Sequence, residues 1–386
     1  MSRPILLLAV AAFVSGANLR VADPLVPKLA ESFSTGVSAA AGVVTAFTLA
    51  YGLFQLVHGP LGDSIGKLRV MVVGLNLAGL ACVACAFAAT LPALIALRFL
   101  AGAGAAAIIP LSFAYIGDNV PYERRQATLG RFIGAIMLGQ VFGPLLGGAL
   151  SEFVDWHEVF AILGAIFFLV GLLLWPQARR AGAPARKTAF SPLRRYVRLL
   201  RDPWVRTVVI TVALEGFAFY GAFAYLGAYL KQRFEIGYLL VGAIIAGFSI
   251  GGALYSLMVR WLLRRLGERG LALGGGAVML LCFAGIAWAP SWPASVPSLV
   301  LIGLGFYMLH NTLQTRATEM APRARGSAVS FFAFCLFLGQ AAGVAAFGVG
   351  VERYGYARML LAAGLGIMLL SVWFRWQLTR NARSGG

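Results

Sequence analysis

The chain has 386 residues, of which 60% are hydrophobic and only 12% are charged. Soluble domains carry about 25% charged residues, so this composition excludes a soluble globular enzyme, a disordered chain and a coiled coil. The mean hydropathy of +0.82 predicts that most of the surface faces lipid. The apolar runs are long and unbroken, which argues against an outer-membrane barrel, whose strands alternate polar and apolar residues.

Runs of apolar residues long enough to cross a membrane occur twelve times along the chain. One helical crossing needs about 20 such residues. The first run is not expected to be a cleaved signal peptide, because it is too long and contains Asn18, Arg20 and Asp23. We therefore predict an all-α integral membrane protein with twelve transmembrane helices. The predicted spans, numbered one to twelve, are 5–27, 38–57, 70–90, 93–117, 129–151, 158–176, 205–230, 238–259, 271–289, 297–317, 327–350 and 356–376.

A basic segment divides the spans into two sets of six. Residues 177–204 hold eight Arg and Lys residues and three prolines, a composition typical of a loop and not of a span. We predict an N-terminal six-helix half at 1–176, a basic cytoplasmic linker at 177–204, and a C-terminal six-helix half at 205–386.

The 32 Lys and Arg residues fall mainly in alternate loops. With the N-terminus inside, most of them lie on the cytoplasmic side, as the positive-inside rule requires. The net charge of +18 therefore indicates topology and not nucleic-acid binding, and contact with lipid headgroups is an expected by-product. We predict a bacterial-type inner membrane protein with both termini in the cytoplasm.

The two halves resemble each other at a shift of about 200 residues. Residues 138–143 in span five read LGQVFG, and residues 338–343 in span eleven read LGQAAG. Gly66 after span two corresponds to Gly267 after span eight. Both copies of the duplicated unit cross the membrane in the same direction. Parallel repeats of this kind place the substrate site near the midplane, between the halves.

Three motifs combine glycine with charged residues or proline. Residues 59–69 between spans two and three read GPLGDSIGKLR, residues 97–106 in span four read LRFLAGAGAA, and residues 139–148 in span five read GQVFGPLLGG. Glycine permits tight turns and close helix approach, and a proline bends its helix. In span five, glycines four residues apart share one helix face, and the residues that carry this motif are Gly139, Gly143, Pro144, Gly147 and Gly148.

Together the motifs resemble those of the major facilitator superfamily, and specifically its twelve-helix drug:proton antiporter branch of multidrug and sugar efflux proteins. The loop is similar to G-x-L-x-D-R-x-G-R-K, with Ser64 and Leu68 in place of basic residues. Span four resembles R-x-x-Q-G-x-G-A-A, with Ala101 in the Gln position, and span five resembles the antiporter signature G-x3-G-P-x2-G-G. The resemblance covers the whole chain and implies transport by alternating access.

The resemblance also implies a cytoplasmic gate. Asp63 is expected to meet the N-terminus of span eleven near Gly326 and Ser327, where free backbone N–H groups favour a negative charge. Such a contact would hold the cytoplasmic side closed, and basic residues of the same loop are expected to pair with Asp118. The predicted gate residues are Gly59, Asp63, Gly66, Lys67, Arg69 and Asp118.

Four charged side chains lie well within the predicted spans, where ionisable groups are costly and often functional. Arg20 and Asp23 share one face of span one, and Arg98 lies at a similar depth in span four. Arg98 is expected to pair with Asp23 in a coupling switch, leaving Arg20 for the cavity or the headgroups. The alternative is a static pair of Arg20 with Asp23 at the membrane interface.

Glu215 is near the middle of span seven, where it is expected to bind protons or a cationic substrate. The alternative is a hydrogen-bonded structural carboxyl group. His310 and Asn311 in span ten are weaker candidates, because most such groups only bond between helices. Further candidates for the cavity wall are Asn18, Tyr51, Gln55, Gln140, Tyr220, Tyr225 and Gln340.

The prediction for function is a proton-coupled exporter of drugs or small metabolites, expected to be a monomer. The main alternative is proton-coupled uptake of a sugar or organic acid by symport, and a lipid flippase and a membrane-embedded enzyme are more remote. No Walker motif is present, and three scattered His and four Cys do not form a metal site. We therefore expect no cofactor, with the proton gradient as the energy source.

Overall fold

The computed structural model describes residues 3–180, 196–197, 199–320 and 325–384, and the regular structure within these ranges is α-helical. Ten helices among them are long and apolar enough to cross a membrane. One of these, Tyr238–Ala287, contains two spans because the backbone turns at Gly267, where φ is 61°. With the shorter first helix, the described residues account for all twelve predicted spans, and the all-α membrane fold is confirmed.

Several spans consist of two helical segments. Span one contains Arg3–Arg20 and Val26–Ser32, span two Val37–Ala40 and Gly42–Ile65, span four Leu91–Ala105 and Ile108–Asn119, and span seven Pro203–Phe223 and Leu226–Phe234. The others are Lys67–Cys85 in span three, Tyr122–Phe153 in span five, Trp156–Arg180 in span six, Tyr238–Ala287 in spans eight and nine, Trp292–Glu319 in span ten, Arg325–Tyr354 in span eleven and Tyr356–Ser384 in span twelve.

The break in span one positions two of the predicted charged residues. The helix ends at Arg20, and Pro24 follows it, which has no backbone N–H to continue the ladder. Instead the Asp23 amide donates to the Arg20 carbonyl at 3.2 Å, a tight local turn. Span seven breaks at the corresponding place, after Phe223. The side chains near these breaks are thus presented at equivalent positions of the two halves.

Helix packing repeats at the predicted shift of about 200 residues. A methyl group added at Gly143 in span five would lie 2.5 Å from the carbonyl oxygen of Ala17 in span one. One added at Gly343 in span eleven would meet the carbonyl oxygen of Phe217 in span seven. The two turn glycines also correspond, since Gly66 and Gly267 both have positive φ. The internal repeat therefore extends from sequence to packing.

The predicted linker falls mainly on 181–195, which lie outside the described residues, and the limits of the two halves stay a prediction. On the N-terminal side the helix of span six continues to Arg180. On the C-terminal side, Asp202 caps span seven by accepting a hydrogen bond from the Trp204 amide at 2.7 Å. Helices extend beyond the apolar runs because arginine is a good helix former and is solvated at the membrane rim.

Candidate functional site

A cavity of about 150 Å³ lies between the two sets of spans. Spans one, two and five contribute to its wall from the first set, and spans seven, ten and eleven from the second. Its wall is mixed in character, with one fixed cation, one imidazole, two amides, three hydroxyl groups and several aromatic rings. The lining residues are Leu19, Arg20, Thr48, Gln140, Tyr220, Phe306, Tyr307, His310, Leu336, Phe337 and Gln340.

Arg20 joins the first half to an aromatic surface of the second. Its guanidinium lies 4.4 Å from the ring centroid of Tyr220 and 5.5 Å from those of Phe223 and Phe248. Its Nη1 lies 3.6 Å from Oδ2 of Asp23. The Nε of Arg20 has no hydrogen-bond partner within the part of the chain that is described. Arg20 therefore keeps an unused donor beside the cavity.

Arg98 has a different partner from the predicted one. It is 1% exposed, and its Nη1 donates to Oδ1 of Asn18 at 2.6 Å. The ring of Phe47 covers its guanidinium at 4.2 Å. The prediction that Arg98 pairs with Asp23 is wrong, because Arg20 occupies that place. The charges of both arginines act on the Asp23 carboxylate, but only Arg20 lies within ion-pair distance of it.

Glu215 and His310 form a second buried pair. Nδ1 of His310 lies 2.8 Å from Oε2 of Glu215, although the two residues are 95 positions apart. The imidazole stacks on Phe306, with ring centroids 5.0 Å apart. Glu215 is 0% exposed, whereas His310 lines the cavity. The carboxylate therefore lies behind the imidazole and does not itself reach a cavity ligand.

Some predicted residues lie elsewhere, and some lining residues were missed. Asn311 donates to the Tyr255 hydroxyl at 2.9 Å and is not part of the cavity wall. Tyr307 and Phe306, which do line it, precede His310 by three and four residues. Helical spacing from His310 would have indicated both. Thr48 carried no comparable signal, because a single hydroxyl in an apolar run has no pattern.

Some of the residues predicted for the cytoplasmic gate make contacts in the structure, while the gate itself stays a prediction. Lys67 forms an ion pair with Asp118, as expected. Arg69 donates through Nε to the Ala178 carbonyl at 3.2 Å. Asp63 is exposed, and the burial of its expected partners, Gly326 and Ser327 at the start of span eleven, is outside what the structure describes. The closing contact therefore stays a prediction.

Span five contacts both halves through its glycine faces. Gly139, Gly143 and Gly147 pack on backbone carbonyls of span one. On another face, Pro144 and Gly148 lie close to the backbone of span eight. A side chain at Gly148 would collide with the Tyr238 carbonyl, and one at Gly242 with the Pro144 carbonyl. The predicted kinked packing helix thus joins span one of the first half to span eight of the second.

Hydrogen bonds connect the halves near the predicted outer side. Glu152 at the end of span five accepts from the backbone N–H of Tyr238 at 2.5 Å. The Tyr238 hydroxyl donates to Glu31 at 2.9 Å, and Lys231 lies 4.1 Å from the ring centroid. One tyrosine of span eight therefore binds two carboxylates of the first half.

A larger groove of about 640 Å³ runs between spans seven, eleven and twelve. Its wall is made of aliphatic and aromatic side chains with almost no polar surface, including Phe217, Phe347 and Trp373. Such a wall suits acyl chains on the lipid-facing side of a membrane helix. The chemistry for binding a polar substrate is instead in the smaller cavity.

Residues 8–344 match the sequence model of the Major Facilitator Superfamily. The chain belongs to the major facilitator superfamily. It is accordingly an integral multi-pass membrane transporter of a small-molecule substrate, and not an enzyme.

Two relatives of this superfamily member are similar over most of its length. The uncharacterized MFS-type transporter YwfA of Bacillus subtilis (strain 168) is 28% identical over 372 residues, which cover 94% of this chain and 89% of YwfA. The putative multidrug resistance protein MdtD of Escherichia coli (strain K12 / DH10B) is 26% identical over 365 residues, covering 94% of this chain and 69% of MdtD.

Solved structures of other transporters have the same fold. The nucleoside transporter NupG superposes with a TM-score of 0.81 at 15% sequence identity, covering 96% of this chain and 99% of NupG. A bacterial homolog of the human lysosomal transporter Spinster, in an inward-facing and occupied conformation, superposes with a TM-score of 0.78 at 18% identity, covering 97% of this chain and 96% of the homolog. At these identities the likeness concerns the fold alone.

Proposed function

We propose that the chain is a proton-coupled exporter of drugs or small metabolites, an antiporter that works by alternating access. The observation that carries proton coupling is the pair of Glu215 and His310. Its imidazole faces the cavity and its carboxylate is fully buried. A proton that enters the cavity therefore reaches the imidazole first and is shared with the carboxylate behind it.

The proton couples to movement through the cost of a buried charge. With one proton on the pair, Glu215 and His310 are together neutral, either as an ion pair or as a neutral hydrogen-bonded pair. Without it, the Glu215 carboxylate is left in a dry, apolar wall, which is costly. The unloaded protein then gains from a rearrangement that brings water or a cation to Glu215. Alternation of the two halves supplies such a rearrangement.

Export as the direction is supported by span five and by one relative's name. The glycines of span five allow it to pack closely on span one, and Pro144 and Gly148 pack closely on span eight. This is the packing that the antiporter-type motif is expected to produce. MdtD, which is similar over 94% of this chain, is described as a putative multidrug resistance protein. Arg20 and Asp23 are proposed as a second ionisable element that responds to cavity occupancy.

Proton symport of an organic acid is a second candidate, favoured by the charge of the cavity wall. Arg20 is the fixed cation of that wall, and no acidic side chain of the described chain lines it. A proton on the Glu215 and His310 pair leaves the two arginines and Asp23 with one net positive charge. That charge attracts an anion, so proton and acid bind together, as symport requires.

The remaining expectations are proposals of the same kind. We propose that the protein is a monomer in a bacterial-type inner membrane with both termini cytoplasmic, and that basic loops contact lipid headgroups. The cytoplasmic loops, including the one with Lys67 and Arg69, carry most of the positive charge. The proton gradient is proposed as the energy source, without a cofactor.

The test is proton flux in liposomes that contain the purified protein and an entrapped pH-sensitive dye. Compounds of different charge classes are added outside, and the internal pH is followed. For an antiporter, inward movement of a substrate alkalinises the lumen as protons leave, whereas a symporter acidifies it. Glu215→Gln is expected to reduce this flux at least tenfold. Glu319→Gln, at the exposed end of span ten, is the matched control. If both variants keep the full flux, the proposed coupling site is contradicted.

A further inference from the structure

The cavity between the two halves has a positively charged wall. Of its lining residues, Arg20 is always charged, and His310 adds a second positive charge when it is protonated. The two carboxylates of the site, Asp23 and Glu215, are 2% and 0% exposed and are absent from the lining. A ligand in the cavity therefore meets positive groups and donors first, with the negative groups behind them.

The charge balance around Arg20 is incomplete. Asp23 is the only carboxylate among the described residues that pairs with either intramembrane arginine, at 3.6 Å from Arg20. Within the part of the chain that the structure describes, Arg98 contacts no carboxylate and binds the side-chain amide of Asn18 instead. Two guanidinium groups thus share one carboxylate. An uncompensated charge in a dry site is costly, and an anion beside Arg20 would compensate it.

A donor of Arg20 is unused. Its Nε is buried and has no acceptor within the described chain, while the ring centroids of Tyr220, Phe223 and Phe248 lie 4.4, 5.5 and 5.5 Å from the guanidinium carbon. Guanidinium groups hold planar oxyanions through two parallel hydrogen bonds. The donor set is therefore suited to a carboxylate or sulfonate.

The rest of the cavity accommodates a flat apolar group. Phe306, Tyr307 and Phe337 contribute aromatic surface, and the amides of Gln140 and Gln340 are polar groups on the two repeats. The volume is about 150 Å³, and an apolar protein cavity of about that size takes up benzene. The ligand is accordingly a compact one with a single ring or a short apolar body.

We infer that the cavity binds a small organic anion, with its acid group at Arg20 and an apolar or aromatic body between the rings of spans ten and eleven. The inference rests on the proposed transport through this cavity but not on its direction. Since a bound anion and a proton on the Glu215 and His310 pair reinforce each other, this class of substrate supports the symport candidate.

Asp23 has a definite role in this arrangement. It competes with the anion for Arg20, because both need the same guanidinium. Removal of its charge by Asp23→Asn therefore frees Arg20 and strengthens anion binding. A residue that only stabilised the fold would weaken binding when it was changed. Arg20→Gln has the opposite effect, with loss of the preference for anions.

The experiment uses three probes of similar shape with the purified protein in detergent, without a proton gradient. They are benzenesulfonate, its neutral counterpart benzenesulfonamide, and the permanent cation benzyltrimethylammonium. Affinity is measured by calorimetry and by the rise in the midpoint of thermal unfolding, which follows from preferential binding to the folded state. We expect benzenesulfonate to bind at least tenfold more tightly than either other probe. We expect Asp23→Asn to increase its affinity roughly tenfold, the scale of one close charge interaction.

Three results would overturn the inference: equal binding of the sulfonate and the sulfonamide, tighter binding of the cation, or no sulfonate binding up to millimolar concentration. The comparison of probes uses the unmodified protein, so it holds even where Arg20→Gln does not fold. Liposome flux separates this inference from the proposed function. Sulfonate binding without any coupled proton movement refutes the coupling and leaves the anion site, whereas proton-coupled transport of the cation alone refutes the anion site and leaves the coupling.

Discussion

The guanidinium of Arg20 lies 4.4 Å from the ring centroid of Tyr220, and the two residues occupy equivalent positions of the internal repeat. Each belongs to the helix turn just before the break in its span, span one for Arg20 and span seven for Tyr220. The repeat axis therefore passes close to this contact. A cation of one half and an aromatic ring of the other meet where the two halves are expected to move against each other.

The Arg20 to Tyr220 contact is expected to stabilise the association of the halves. A desolvated cation–π contact contributes about 2 kcal/mol. Tyr220→Leu removes the ring and is expected to lower the midpoint of thermal unfolding by several degrees, whereas Tyr220→Phe keeps the ring face and most of the stability. Tyr354→Leu, at an exposed tyrosine, is the control. A Phe variant as unstable as the Leu variant would show that the hydroxyl and not the ring is responsible.

Glycines of the duplicated packing face are expected to tolerate no side chain. Gly143→Ala places a methyl group 2.5 Å from the Ala17 carbonyl oxygen, and Gly343→Ala makes the equivalent collision in the second half. Overpacking costs about 1–3 kcal/mol, so both variants should unfold at a lower temperature than the parent. Gly134→Ala in the same span has open space around the added methyl group and serves as the control. Equal effects at Gly134 and Gly143 would refute the packing argument.

The Tyr238 contacts are expected to keep the predicted outer side closed. Tyr238→Phe removes the hydrogen bond to Glu31, which is worth about 1 kcal/mol and corresponds to about a fivefold rise in the open population. The reporter is Ser38→Cys, because Ser38 packs against Gly348 between spans two and eleven. Its reaction with a membrane-impermeant thiol reagent should accelerate in proportion.

Tyr354→Phe is the matched control for this measurement, since Tyr354 is exposed and belongs to the same predicted side. The native cysteines are buried and are expected to contribute little background. An unchanged labelling rate in Tyr238→Phe would mean that other contacts hold the outer side closed.

Glu215 and His310 are expected to be energetically coupled. Removal of one partner from a buried pair costs about 3–5 kcal/mol, while replacement of both by apolar groups costs less. His310→Leu should therefore destabilise the parent protein strongly. The same substitution made in the Glu215→Leu variant should destabilise that variant less. Thermal unfolding of the four proteins completes the cycle. Additive effects would show that the 2.8 Å contact contributes no coupling.

Much of the fold could be predicted because the relevant signals are local. The length of an apolar run is enough to predict a span. The glycines at 66 and 267 indicate turns from local sequence, without knowledge of the tertiary structure. The repeat was visible in order and spacing, and its packing followed, as Gly143 and Gly343 illustrate. The helix ends were less predictable, because charged residues at the rim end an apolar run without ending a helix.

The site was predictable in composition but not in pairing. Arg20, Asp23, Arg98 and Glu215 were identified because charge is rare in a membrane span. Their partners were not, because hydropathy does not report how a helix is rotated about its axis. Depth alone made Asp23 equally close to two arginines. Nothing in the sequence favours the neutral Asn18 over Asp23 as the partner of Arg98.

The sequence by itself determined that this protein crosses the membrane many times, that it is duplicated, and which ionisable groups are buried there. These properties depend on transfer free energy and spacing along one chain. Only the tertiary structure decided that Arg20 holds Asp23, that Arg98 binds Asn18, and that His310 lies between Glu215 and the cavity. Arg20 and Asp23 are neighbours in span one, but the other contacts join helices 80 and 95 positions apart in sequence, and the rotation of each helix about its axis selects which partners meet.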